Sequence, residues 1–251
     1  MSASIPHISA AALDPEVLRR RIYPDLGHTL YWSDDWSPRL YMALARAGFI
    51  SISHRDPRGD GSLLLPELQK SYAVLDWSEL HLSRHVRKLL DSGRVESELE
   101  DLEITAPGPE LIEGLLRHHG PRCWLSRDYR DLVARLPGQE GPGFAIRGIG
   151  LRSRREGELI AGELGYTIGR TYTSLTGFFR RDDPRWRHFG TLQLVLLARR
   201  LRECGYAFWN LGHPHLAYKR ALGANVLSRE TFLQRWLEAT REPPQAPLST
   251  V

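Results

Sequence analysis

The chain has 251 residues, 41% of them hydrophobic and 25% charged, enough for one large domain or two small ones with real cores and unlike an intrinsically disordered chain. No apolar run approaches the ~20 residues that a membrane span needs. The net charge of +4 and a pI near 9.2 permit an RNA or phosphate partner without establishing one.

The start, MSASIPHISAAALDPEVLRRR, lacks a basic stretch followed by an apolar one, so no signal peptide is expected and the cytoplasm is the expected setting. Residues 1–14 read as loose. A first helix is expected over Pro15–Tyr23, with Asp14 as its cap and Pro15 in its first turn. Ser37-Pro38 opens a second, with Leu40, Leu44 and Ala47 at helical spacing and Gly48 at its end. SISHRDPRGDGSLLLPEL reads as a turn-rich excursion around Pro57–Gly61. SYAVLDW alternates as a short strand. Ser78 is the expected cap of a basic helix, ELHLSRHVRKLLDSG, with Leu80, Val86, Leu89 and Leu90 inward.

Two further helices are expected at 108–118 and 125–136, around a loop carrying Arg122, Cys123 and Trp124. Cys123 and Cys204 are the only cysteines, and neither has metal-ligand spacing, which argues for a reducing compartment and against a metal site. After the loop LPGQEGPG (136–143) the pattern turns to strands. FAIRGIGLRS and GELIAGELGYTIG flank a polar turn, a hairpin signal. RTYTSLTGFF is β-rich, GTLQLVLLARRLRECG is an apolar helix ended by Gly205, and YAFWNLG is a short buried strand. A helix, a turn and a last helix follow, and residues 241–251 read as a disordered tail. This order is that of a GNAT core, the fold of acyl-CoA N-acyltransferases. The expectation is an α+β chain: a smaller α/β N-terminal domain (1–76) and a GNAT-like domain (77–240).

The stretch GELIAGELGYTIGRTYTSLTGFF…GTLQLVLLARRLRECGYAFWNLG…YKRALGANVLSRETFL is similar to the leucyl/phenylalanyl-tRNA–protein transferases. Upstream, WSPRLYMALARAGF, LHLSRHVRKLL and RCWLSRDYRDLVARL resemble successive helices of that family, so the likeness runs in order along nearly the whole chain. The resemblance implies transfer of Leu or Phe from aminoacyl-tRNA to a protein with an N-terminal Arg or Lys, marking it for N-degron proteolysis. It implies no cofactor, neither acetyl-CoA nor metal. An aminoacyl-tRNA is already an activated ester, so the enzyme needs to position an amine, stabilise the oxyanion and accept a proton.

The resemblance places the family's strand-end acid and amide near Asn210 and His213, and its "GES" glutamate at Thr176. Two expected carboxylates are therefore neutral here. Asn210 cannot orient an ammonium as a carboxylate does, whereas His213 can accept a proton at neutral pH. Glu163 lies in the preceding strand, sharing a face with Leu159, Ala161 and Gly165 by period-two alternation. It is the candidate replacement, against the alternative of a solvated Glu or a pair with Arg170. By the resemblance, Trp124 stacks on the 3′-terminal adenosine, with Trp77, Tyr31, Trp32 and Trp36 as further aromatic candidates. Arg84, Arg87 and Lys88, three and four apart on one helix face, would meet the tRNA acceptor stem. Tyr172, Leu175, Phe178 and Phe179 are candidates for the aminoacyl pocket.

Three other readings stay open. Arg187-His188-Phe189-Gly190-Thr191-Leu192 partly fits the CoA pyrophosphate signature, but Leu192 is bulky where a small residue belongs. The altered carboxylates suit a small-molecule amine as acceptor. A non-catalytic tRNA-binding protein would bind without transfer.

Overall fold

A computed structural model of the chain describes residues 5–139 and 143–249. Residues 1–4 of the expected loose start, 140–142 of the expected loop and the last two of the tail lie outside the described residues. The strands are β1 (Ile50–Arg55), β2 (Ser62–Glu67), β3 (Ser71–Leu75), β4 (Glu103–Thr105), β5 (Phe144–Arg152), β6 (Leu159–Ile168), β7 (Thr171–Phe179), β8 (Phe208–Gly212) and β9 (Asn225–Ser228). The helices are α1 (Pro15–Val17), α2 (Pro38–Arg46), α3 (Arg84–Asp91), α4 (Arg94–Glu98), α5 (Pro109–His119), α6 (Arg127–Arg135), α7 (Phe189–Glu203), α8 (Ala217–Ala221) and α9 (Arg229–Ala239).

The frame is a seven-stranded sheet in the order β4-β5-β6-β7-β8-β3-β9. Its neighbours are antiparallel except β7 and β8, which run parallel. A parallel pair needs a long crossover, and α7 supplies it. Both faces are covered. One layer packs α2, α5, α6 and α9 on Ile146, Leu164, Tyr166 and Phe208; the other packs α3 and α7 on Ile149, Ala161, Tyr172 and Trp209. β6 lies between these layers, so nine of its ten residues are buried whether polar or not.

Local signals act where the sequence places them in several elements. The Asp14 carboxylate accepts the N–H groups of Glu16 and Val17, and the Ser37 hydroxyl accepts that of Leu40. The first helix continues from α1 into a wider turn over Leu18–Ile22. Elsewhere the structure corrects the reading. The turn-rich excursion is the antiparallel hairpin β1/β2. Ser51 and Ser53 hide its alternation because they are buried polar residues satisfied by the neighbouring helix: the Tyr129 hydroxyl donates to the Ser51 carbonyl, and the Ser126 N–H donates to the Ser53 hydroxyl. Ser83, not Ser78, caps the basic helix α3. The chain before it is drawn out by a bond from the His81 N–H to the Leu222 carbonyl, leaving only a short turn at Trp77–Glu79.

β3, which precedes the expected 76/77 boundary, sits inside the large sheet between β8 and β9. The buried Arg229 adds a second tie, its guanidinium donating to the carbonyls of Leu68, Gln69 and Asp25. The tail, expected to be disordered, is packed through residue 249: Leu248 is buried and the Ala246 N–H donates to the Cys204 carbonyl at the end of α7.

Candidate active site

β7 pairs with β8 only over Thr171↔Phe208, Tyr172↔Trp209 and Thr173↔Asn210. From Ser174 onward β7 stays with β6 alone, so the two parallel strands part at that residue. A register shift accompanies the parting: Gly165 faces Ser174 and Leu164 faces Thr176, leaving Leu175 as the extra residue. Glu163 lies beside this break, 4% exposed.

Its Oε1 accepts two hydroxyls, Tyr172 Oη and Ser174 Oγ, each at 2.8 Å. Ser174 in turn accepts the indole N–H of Trp209 at 2.8 Å. The absence of a side chain at Gly165 makes this possible, since a Cβ there would stand 2.2 Å from the Tyr172 hydroxyl. Burial pushes the Glu163 carboxyl up to about 7, against the lowering effect of the two hydroxyls and the charge of Lys219. Lys219, on α8, is itself buried and donates to the carbonyls of Leu211 and His213. Burial pulls its ammonium down to about 8, and the Glu163 charge opposes that shift. The site thus holds an acid and a base that both titrate near neutrality, with the carboxyl oriented by two donors.

The four catalytic candidates do not converge. Asn210 alternates with Trp209 and so faces away from Glu163; its Oδ1 accepts the Gly212 N–H at 2.9 Å and its Nδ2 donates to Thr173 at 3.4 Å. Thr176 meets His119 of α5 at 3.0 Å. His213 is about half exposed and lies 2.8 Å from the Glu67 carboxylate. Arg170 pairs with Glu242, not with Glu163.

The expected aminoacyl wall is also divided. Tyr172 belongs to the Glu163 network, whereas Leu175 and Phe178 pack in the opposite layer. Phe178 and the half-exposed Phe179 line a cleft of about 700 Å³ together with Gly114 and Arg181. Trp124 is half-buried with its ring edge-on to Tyr129, centroids 4.8 Å apart. Trp77 is half-buried in the other layer, its indole N–H donating to the Tyr206 carbonyl. Tyr31 is buried against Phe49, Trp36 donates to the Ser62 carbonyl and Trp32 carries Arg58 over its ring, so these three serve the N-terminal packing.

Arg84, Arg87 and Lys88 are exposed on α3, as their spacing requires. The segment leading into α3 crosses Gly223 so closely that a Cβ there would lie 1.8 Å from the Glu79 carbonyl, with φ at +105°. This crossing joins the basic helix to the turn that follows Lys219. At the start of α7, Gly190 is covered by Phe179, 3.0 Å from where a Cβ would be, and Leu192 is fully buried. The backbone at Gly190, within the partial CoA signature, therefore lies against the Phe179 side chain.

Lys219, Ser174 and Glu67 were not among the expected site residues. Lys219 had a signal: it is one of only three lysines in a chain whose other cations are arginine. Arginine does not lose its proton, so a buried lysine is the cation to inspect.

The acetyltransferase (GNAT) domain model matches residues 80–220. The chain belongs to the GNAT family. Its resemblance to the leucyl/phenylalanyl-tRNA–protein transferases also holds, as that of a divergent member. The transferase of that name from Pseudomonas putida W619 is 27% identical over 179 residues, covering 69% of this chain and 70% of the relative. That from Pseudomonas entomophila L48 is 26% identical over 195 residues, covering 72% and 78%. That from Dinoroseobacter shibae is 26% identical over 211 residues, covering 82% and 84%. Among solved structures, L-PGS from Bacillus licheniformis aligns over 85% of this chain and 74% of its own, with 13% identity and a TM-score of 0.43. A C-terminal domain named for lysylphosphatidylglycerol synthetase, from Agrobacterium fabrum, aligns with 18% identity and a TM-score of 0.42; it covers 86% of this chain, which spans 60% of that one. Among the described residues no helix is long and apolar enough to cross a membrane.

Proposed function

We propose that this chain transfers an aminoacyl group, Leu or Phe, from aminoacyl-tRNA to the N-terminal amine of a protein beginning with Arg or Lys, an N-degron tag. The observation that carries the chemistry is Glu163: a buried carboxyl where β7 and β8 part, held by Tyr172 and Ser174 and titrating at about 7. The attacking amine arrives as an ammonium with a pKa near 8. Glu163 takes its proton; the freed amine attacks the ester carbonyl and forms the C–N bond. The C–O bond to the terminal ribose then breaks, and the 3′-oxygen leaves with a proton. The charge of Lys219 favours the ionised carboxyl that the first step needs, against the effect of burial. The donor and a protein acceptor come from the names of the relatives, leucyl/phenylalanyl-tRNA–protein transferases; the N-terminal Arg or Lys is what the family resemblance implies.

The exposed Arg84, Arg87 and Lys88 support binding of the acceptor stem through its phosphates, and the half-exposed Trp124 remains the candidate platform for the terminal adenosine. Asn210 and Thr176 are occupied by structural partners, which argues against a catalytic part for either. One observation favours a second reading, transfer to a small-molecule amine: the strand-end position where the family carries an acid is a neutral, buried Asn210.

The test is transfer of labelled leucine or phenylalanine from tRNA to peptides beginning with Arg or Lys, beside a panel of small amines. Transfer to the peptides supports the first reading, and transfer only to a small amine supports the second. Bound aminoacyl-tRNA with no transfer to any amine overturns both and leaves a tRNA-binding protein.

A further inference from the structure

A second polar chamber lies at the junction of β2 and β8, away from Glu163. It is open to solvent, has a volume of about 200 Å³ and is lined by Glu67, Gln69, Lys70, His213 and His215, among others. Glu67 closes one side, its Oε2 2.8 Å from Nε2 of His213. Since a carboxylate only accepts, His213 Nε2 is the donor of this bond. Gln69 is 3% exposed, and its Oε1 is buried with no hydrogen-bond partner among the described residues. An unpaired buried acceptor is unfavourable, and Gln69 is one of the residues that line the chamber.

These groups make one kind of demand. Glu67 and Gln69 Oε1 are both acceptors, and the first is a carboxylate. The cation among the lining residues, Lys70, is exposed. The other nearby ammonium, Lys219, is already directed to the Leu211 and His213 carbonyls. No group of three His, Cys, Asp or Glu residues among the described ones is placed to hold a metal ion. A ligand that satisfies such a wall is rich in donors and positively charged.

We propose that this chamber binds the guanidinium or ammonium side chain of the acceptor, with Glu67 and Gln69 as its specificity determinants. Naming the acceptor as the occupant rests on the transferase reading; the demand for a cationic, donor-rich group does not. In this arrangement the negative charge missing at Asn210 comes from β2. The Lys219 ammonium, bonded to the carbonyl of His213, links the chamber to the Glu163 site. Guanidinium suits the wall best, because it offers five donors in a fixed plane.

The experiment is calorimetric titration of the full chain with argininamide and with citrullinamide, its neutral isostere. Argininamide should bind at least tenfold more tightly. Glu67→Gln keeps a hydrogen bond to His213 and removes the charge, and should reduce argininamide affinity at least tenfold with the melting temperature monitored as a check on folding. If that variant does not fold, Gln69→Met, which removes the buried acceptor, should weaken argininamide binding in its place. Equal affinity for the two amides, or no binding of either, overturns the proposal. So does preferential binding of inorganic phosphate, which would make Lys70 and the histidines an anion site. Failure of the transferase reading is scored separately, by wild-type conversion of aminoacyl-tRNA to the hydroxamate with hydroxylamine above the enzyme-free rate. That acceptor has no side chain and does not need the chamber.

Discussion

Replacing Glu163 by Gln separates a carboxyl held for chemistry from one held for packing. Gln keeps the oxygen that Tyr172 and Ser174 use and removes the charge. In the folded chain burial raises this carboxyl from 4.5 to about 7. The native state therefore binds more protons than the unfolded state between those values. The stability from this group is complete below about pH 4.5 and is lost as pH rises through 7. Above pH 7 the charged form costs about 3 kcal/mol, at roughly 1.4 kcal/mol per pH unit. E163Q should melt close to the wild type at pH 5 and roughly 5–10 °C above it at pH 8. The gain is reduced to the extent that Lys219 loses the charge that favours its ammonium. Over the same range, single-turnover transfer from aminoacyl-tRNA to a peptide amine should fall roughly 10²–10⁴-fold, the usual worth of a positioned base. The wild-type rate should rise through pH 7, and the variant should keep only a rise near pH 8, where the amine itself loses its proton. A more stable and less active variant is the signature of a group kept at the expense of stability. Melting that runs parallel to the wild type at every pH, or unchanged turnover, would refute the reasoning.

Two predictions test the surroundings of that carboxyl. Replacing Arg84, Arg87 and Lys88 together by Ala should weaken aminoacyl-tRNA binding and lower the slope of log affinity against log salt by about 2–3, measured by filter binding; an unchanged slope removes this helix from the interface. Gly165→Ala forces a methyl to within 2.2 Å of the Tyr172 hydroxyl and should destabilise the chain by roughly 1–3 kcal/mol in urea melts while displacing Tyr172 from Glu163; full stability with full activity would show that the Tyr172 contact is dispensable.

The GNAT-like half was legible because its signals are local. The β5/β6 hairpin, β7, the apolar α7 and β8 each carry their period and their terminators in adjacent residues. β1 and β2 were not legible, since Ser51 and Ser53 are polar strand residues whose partners lie on a helix more than seventy positions away. The position of β3 in the sheet was hidden for the same reason: its neighbours, β8 and β9, are remote in sequence. Within the site, alternation along β6 correctly put Glu163 and Gly165 on one face, and the missing side chain of Gly165 is what admits the Tyr172 hydroxyl. Resemblance to the family's strand end points to Asn210 and His213, but strand alternation turns Asn210 to the far face, and Glu67 holds His213 from a hairpin whose strands carry no clear period in the sequence.

Lys219 allows one more discrimination, because this chain contains a control for it. Arg229 is also buried, and it is built as a structural cation whose donors are spread over several carbonyls. Lys219 donates to two carbonyls and titrates at about 8, within reach of the chemistry in a way that no arginine is. Its charge is also one of the influences that lower the Glu163 carboxyl. Lys219→Met removes that charge, so the acid limb of the transfer rate should move to a higher pH than in the wild type. Lys219→Arg keeps both charge and donors, so its acid limb should stay where the wild type has it. The measurement is the pH profile of single-turnover transfer for the two variants side by side. Equal displacement of the limb in both would mean that the side chain only props up the turn after β8. A limb that moves in Met and not in Arg makes the ammonium an electrostatic partner of Glu163.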